Sequence, residues 1–386
     1  MGKIVHKGLS VGKHFIMTIK LQIISLTLAI VLPLQKVSKI VSIPFHKYSK
    51  TFIMKKAFLI CIAIVSLHFV QAQDNSGYKV TKTFHIASSG GWDYIAADPG
   101  SNKLYVSHGG QVNILDKKTG DSIGVILNTT GVHGIAFNQE LGKGYTSNGR
   151  LNTVTVFDLK TGAVTGQIAT GQNPDAIMYD PFSKTVITCN GRSNDLSIID
   201  PTTNTVTATI AVGGKPETAA SNEAGKIFVN IEDKNEIAVV DLATKQVTAR
   251  WPLGADGPTG LMIDNKTHRL FVGCDKALVV VNAETGAVVA KPVIGDGCDG
   301  VGFDSKKKLI FASCGEGVLS IVKEESADKF VSYANVPTKR GARTIAVDEP
   351  THMVYMPTAD FAPQAAGAQG RPQMLPGTFQ IVVAEK

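Results

Sequence analysis

Two apolar strands joined by a short polar turn form a phrase that returns seven times along this chain, and that repetition narrows the possible folds more than any single residue does. IAADPGSNKLYVSH, IAFNQELGKGYTSN, IMYDPFSKTVITCN, AASNEAGKIFVNIE, LMIDNKTHRLFVGC, VGFDSKKKLIFASC and IAVDEPTHMVYMPT are the copies. Their first strands run into Asp98, Asn138, Asp180, Asn222, Asp264, Asp304 and Asp348, at successive separations of 40, 42, 42, 42, 40 and 44 residues. Short alternating strands at such a period are the signature of propeller blades rather than of one wound sheet.

The second unit divides into IAFN, KGYTSN, TVTVFD and AVTGQIAT, each with apolar residues at alternate places, which predicts four antiparallel strands per blade. Between the third and fourth strands stand DKKTG, DLKTG, DPTTN, DLATK and NAETG. An Asp or Asn there accepts hydrogen bonds from the turn's own amides, and Gly or Asn takes the left-handed position. Asp116, Asp158, Asp200 and Asp241 are therefore turn makers, not catalysts. The last unit supplies RTIAVD, MVYMPT and GTFQIVVAEK but no fourth strand, while YKVTKTFHIA at 78–87 is a strand with no repeat of its own. Pairing the two completes the ring and leaves no open sheet edge. The expected fold is all-β, a seven-bladed β-propeller closed by the N-terminal strand in the last blade.

Ahead of the repeats, Met54, Lys55 and Lys56 precede AFLICIAIVSLHFV and a small-residue exit at Ala72, the layout of a secretory signal peptide over residues 54–72. Translation is expected to begin at Met54, leaving residues 1–53 as an upstream extension and 73–386 as a single propeller. The apolar run LQIISLTLAIVLPL within 1–53 has 14 residues, short of the roughly 20 that a spanning helix requires. Cys61 sits inside the leader's apolar run and is not read as a lipid attachment site. The expected location is periplasmic or secreted, with no stable membrane span in the mature form.

Removing residues 1–72 takes away ten lysines and no acids, so 39 basic against 32 acidic residues becomes 29 against 32, a net of −3. A mildly acidic body lacks the bulk field on which nucleic-acid affinity rests.

The units resemble the YVTN-type repeats of YncE-like β-propellers, exported bacterial proteins. The matching residues are the G-x-x-P openings at Gly171 to Pro174 and Gly213 to Pro216, the related Asp256-Gly257-Pro258, the Asp-Pro turns and the D-x-x-T-G turns. The likeness runs from 77 to 386. Blades one, two, six and seven replace the opening Pro with Trp92, Val132, Cys298 and Ala342, and blade six ends its third strand at Val322-Lys323 without a turn Asp. The resemblance implies an exported binding propeller, with nucleic acid among the family's suggested ligands. It brings no shared catalytic motif.

Aligned, the units expose two rings of polar positions. Five residues before each anchor stand Asp93, His133, Asp175, Glu217, Thr259, Asp299 and Arg343; ten after it stand His108, Asn148, Asn190, Glu232, Cys274, Cys314 and Thr358. An antiparallel hairpin returns its ends together, so both sets are expected on one face as a largely acidic mouth. One reading is a pocket for a cation or polar ligand, with Asp93, Asp175, Glu217 and Asp299 as candidate divalent-cation ligands. Another is that these side chains bind one another and water across neighbouring blades. Arg343 pairs with carboxylates or anchors an anionic substrate.

Of the four cysteines beyond the leader, Cys298 and Cys314 flank one hairpin symmetrically, and a disulfide between them is expected ahead of one between Cys274 and Cys298. Small buried thiols are the alternative. Gly295, Gly297 and Gly300 satisfy GxGxxG, yet no strand-to-helix pattern surrounds them; Gly8 to Gly12 and Gly120 to Gly124 satisfy GxSxG but likewise lack the strand-to-helix turn of a nucleophile elbow, and no HExxH occurs. The insertion DFAPQAAGAQGRPQMLPG at 360–377 joins two strands of blade seven on the polar face, as a rim element modulating access or as a disordered loop.

The leading functional reading is a non-enzymatic exported recognition propeller, expected to be monomeric, that binds a small polar ligand, a peptide or a protein partner on its acidic face. The alternative is a metal-assisted hydrolase or lactonase using the mouth carboxylates. Single-stranded nucleic acid is disfavoured, since Trp92 and Tyr94 are the obvious ring-side aromatics and no basic groove accompanies them.

Overall fold

The computed structural model describes residues 76–363 and 373–386, all within the unit Gln71–Lys386. The leader over 54–72, its cleavage after Ala72, Cys61 and the 1–53 extension lie outside the described residues. Among the described residues no helix is long and apolar enough to cross a membrane.

Seven four-stranded antiparallel sheets form the ring of a seven-bladed β-propeller. In six of them the strands follow chain order; the seventh runs from Lys79–His85 through Gln380–Glu385 and Met353–Thr358 to Ala346–Asp348. Thr83 faces Val382 and Phe84 faces Ile381, so the chain's two ends share one blade as the sequence predicts.

Burial follows position in the blade. Second strands such as Lys103–His108 and Arg269–Cys274 are buried almost throughout, because a sheet stands against each of their faces. Outermost strands such as Thr205–Ala211 alternate exposed and covered residues. One large side chain sits at the same place on each second strand: Tyr105, Tyr145, Ile187, Phe228, Phe271, Phe311 and Tyr355, all fully buried. Several pack against rings of the neighbouring blade, as Tyr105 does with Phe137 at 5.1 Å and Phe271 with Phe303 at 5.0 Å.

The anchors explain why the repeat keeps Asp or Asn. Asp98 accepts from the Gly100 amide at 2.9 Å within its own turn and from Gln139 of the next blade at 2.6 Å. Asp180 does the same with the Ser183 amide and Ser221, and Asp304 with the Lys307 amide and His352. Asp116, Asp158, Asp200 and Asp241 accept from the amides of Thr119, Thr161, Thr202 and Thr244. These amide bonds hold all four carboxyls below their ordinary range, with the Thr161 hydroxyl the larger influence at Asp158.

Blade six lacks the turn Asp because its outer hairpin continues, with Val318–Ser326 and Lys329–Pro337 each nine residues long. The position after the missing Asp is normally apolar, as Leu159 and Leu242 show, but here it is Glu324, 1% exposed. Glu324 accepts from Thr267 at 2.7 Å and lies against the blade-five anchor Asp264, while its second oxygen has no partner. Burial, and after it the Asp264 charge, raise its carboxyl above the ordinary 4.5. A raised folded-state pKa contributes stability that is complete below about pH 4.5 and is lost as pH rises through the folded value. Glu324→Gln is therefore expected to stabilise the fold by about 1–3 kcal/mol at pH 7. The difference should close below pH 4.5 in parallel urea denaturation series, and a variant less stable than the native chain at pH 7 rejects this account.

Candidate functional site at the channel mouth

The mouth is built by β-bulges. In blades one to four and six, the register between the first two strands slips immediately after the opening pair, at Trp92/Ile95, Val132/Ile135, Pro174/Ile177, Pro216/Ala219 and Cys298/Gly300. Asp93, His133, Asp175, Glu217 and Asp299 are the residues inside these slips. A bulge re-aims a side chain that a regular ladder would hold in the sheet. Blades five and seven begin pairing later, at Leu261 and Ala346, and leave Thr259 and Arg343 on the preceding loop.

A set of hydroxyl and amide side chains that sequence reasoning passed over pins these bulges. Ser107 accepts from the Asp93 amide at 2.9 Å and donates to the Tyr94 carbonyl at 2.8 Å. Ser147 accepts from Gly134 at 2.8 Å and donates to the Asp175 carbonyl in the next blade. Asn230 donates to Thr259, Thr259 to Cys298, Ser313 to Arg343, and Thr344 to Asp93, each bond crossing to the following blade. The recurring Ser one residue before the end of the second strand, in KLYVSH, KGYTSN and LIFASC, is the signal that was there to be read.

The ring carries paired charge, not a uniform acidic field. His133 Nδ1 lies 2.5 Å from Asp93 and 3.7 Å from Asp175. Lys215 lies 3.0 Å from Glu217 and also holds Glu232. Asp299 pairs with Arg343. Asp93, His133 and Asp175 thus form one group spanning three blades, with Glu217 beside it; Asp299 belongs to a separate pair. Asp175 is 7% exposed and its Oδ1 has no hydrogen-bond partner. Burial first, then the Glu217 charge, push the Asp175 carboxyl up to about 8. Burial also raises Glu217.

The second ring does not open on the mouth as expected. His108, Asn148, Asn190, Cys274, Cys314 and Thr358 are fully buried at the ends of their strands. The His108 imidazole contacts the Gly90 carbonyl at 2.9 Å and Ser88 at 2.8 Å, and its ring packs 4.1 Å from Phe379. Burial lowers its pKa, so it serves as a neutral structural group. Asn148 donates to Thr155, and Asn190 to Asp195 and Ser197, within their own blades. Glu232 is out of step by one residue: the turn after Asn222 is shorter, and Ile231 occupies the equivalent place opposite Pro216.

The expected disulfide is not formed. Cys298 and Cys314 are cross-strand neighbours, but all four cysteines among the described residues are buried thiols. The two thiols interact with each other, and each also reaches a backbone carbonyl, Cys298 Sγ that of Gly300 at 3.7 Å and Cys314 Sγ that of Ala312 at 3.5 Å.

Two recesses open beside the ring. One, about 700 Å³, is lined by Asp93, His133, Asn173, Arg150, Arg192 and Arg343 among others. The other, about 480 Å³, lies among Trp92, Phe361, Met374, Cys298, Arg340 and Arg343. The base of the 360–377 insertion forms its wall: Phe361 bridges Met374, and Phe361 lies 6.1 Å from Trp92. Residues 364–372, and with them most of the proposed rim element, lie outside the described residues. Trp92 stacks on Phe379 at 5.3 Å, and Tyr94 faces Thr218 across the ring at 3.4 Å, so both aromatics already have protein partners.

Residues 141–298 match a family model described as YNCE-like beta-propeller. No curated protein matches the chain. Among solved structures, the chain is similar to a hydrazine synthase chain of Kuenenia stuttgartiensis, with 16% identity, a TM-score of 0.62, and coverage of 70% of this chain and 94% of that one. At this identity the likeness shows the propeller fold alone.

Proposed function

We propose, from the premise of a YncE-like β-propeller matched over residues 141–298, that this protein is an exported binding protein that seats a small polar ligand at its channel mouth. The observation that carries this reading is the 700 Å³ recess with both signs of charge on its wall. Arg150 and Arg192 make no ion pair among the described residues, and Asp93 and His133 line the same recess. Guanidinium groups orient carboxylate or phosphate through paired donors, while Asp93 accepts from a hydroxyl or amine. A ligand carrying both kinds of group fits this wall better than an apolar one. Export rests on the leader read over 54–72.

Thermal-shift measurement on the purified protein with a panel of amino acids, hydroxy acids and sugar phosphates tests the reading, since a ligand selective for the folded state raises Tm. A member that raises Tm for the native protein should lose most of that effect in Arg150→Ala/Arg192→Ala. An unaltered response in this variant, or a panel without effect, rejects the recess as the ligand site. Export is checked by the intact mass of the protein from the periplasmic fraction, which should begin at Gln73.

A further inference from the structure

We propose that Asp93, His133 and Asp175 hold a divalent first-row transition ion, with zinc as the representative probe. The inference concerns the three-blade group; it shares Asp93 and His133 with the proposed ligand recess but does not rest on the polar-ligand reading. One ligand atom from each of the three residues lies within 4.8 Å of the others. Donors bound at about 2.0–2.2 Å around a tetrahedral centre stand roughly 3.3–3.6 Å apart. The observed separations from His133 Nδ1, 2.5 Å to Asp93 and 3.7 Å to Asp175, bracket that value, so side-chain rotations bring the set into place.

A second observation points into the same spot. Asp175 is more than nine-tenths buried, and its Oδ1, the atom facing His133, has no hydrogen-bond partner. A buried carboxylate oxygen left unpaired is costly, and a cation satisfies it directly. The three backbones are already fixed: Ser107 and Thr344 bind the Asp93 segment, and Ser147 ties the His133 bulge to the Asp175 carbonyl. Such support is what a metal centre needs from its surroundings.

One imidazole with two carboxylates suits zinc or manganese better than calcium or magnesium, which prefer all-oxygen shells. Asp93 and His133 also line the 700 Å³ recess, which leaves the remaining coordination positions to water. The sequence-level candidates change accordingly. His133 joins the set, and Glu217, engaged with Lys215, and Asp299, engaged with Arg343, leave it.

The test is calorimetric titration of the purified, untagged protein, stripped with chelator, against zinc, manganese, calcium and magnesium chlorides. The expected result is one saturable zinc or manganese site per chain, with calcium and magnesium at least tenfold weaker. His133→Ala and Asp175→Asn should each weaken binding about 100-fold or more, and Asp299→Asn should leave it unchanged. Absence of saturable binding overturns the proposal, as does zinc binding that persists in both ligand variants. Should a variant fold poorly, the native protein decides: zinc must raise its Tm at stoichiometric loading, and no rise refutes the site.

Discussion

Phe84→Ala is expected to cost about 3–5 kcal/mol, among the largest losses available to a single substitution in this chain. Phe84 is 5% exposed on the N-terminal strand, beside Ile381 in register and 6.5 Å from the Tyr355 ring. It also reaches into blade one. A Cβ built on Gly120, which sits at φ +78°, meets the Phe84 ring at 2.2 Å, so the aromatic lies directly on that turn's backbone. The side chain therefore clasps blade seven to blade one where the ring must close. Removing it opens a cavity at the one blade assembled from both chain ends, where no local connection compensates. Phe182→Ala, at a residue 60% exposed, should change stability by no more than about 0.5 kcal/mol. Urea denaturation of both variants measures the contrast. Equal midpoints for native chain and Phe84→Ala eliminate the clasp.

Phe84 also marks how far the sequence could be read. The closing strand was legible because a strand without a repeat and a blade without a fourth strand require each other. The position of the ring residues was legible too, since Asp93, His133 and Asp175 recur at one distance from the anchors. Their aim was not. A bulge is a register slip between two strands, and nothing in the alternation of one strand announces it. Pairing across the mouth was equally hidden: Arg343 and Asp299 are far apart in the chain, and only the ring curvature brings them together. The misreading of Glu232 has a simpler cause, a turn one residue shorter after Asn222, which a fixed count from the anchor carried forward. The buried second ring failed for a physical reason: strand ends beside the mouth can be covered by the loops that make the mouth.

Lys117→Met should cost about 3–5 kcal/mol, and adding Asp348→Asn should recover much of it. Lys117 occupies the place that Leu159 and Leu242 fill in other blades, the same place as Glu324 in blade six. Its ammonium reaches back to the preceding blade's anchor, 2.8 Å from Asp348 and 2.9 Å from the Asp98 carbonyl. The side chains are 7% and 2% exposed. Here the reach brings opposite charges together, whereas Glu324 brings a carboxyl against Asp264. Taking the lysine away leaves the Asp348 carboxylate buried without its counter-charge, which is where the cost arises. Asparagine at 348 removes that charge and keeps an oxygen for Thr351, which now donates to Asp348 at 2.5 Å. The double-mutant cycle should show a favourable coupling of about 1–3 kcal/mol. Because this pair joins blade one to blade seven, the loss should add to that of the Phe84 clasp only in part. Independent, fully additive effects would mean that the seam is not closed as one unit.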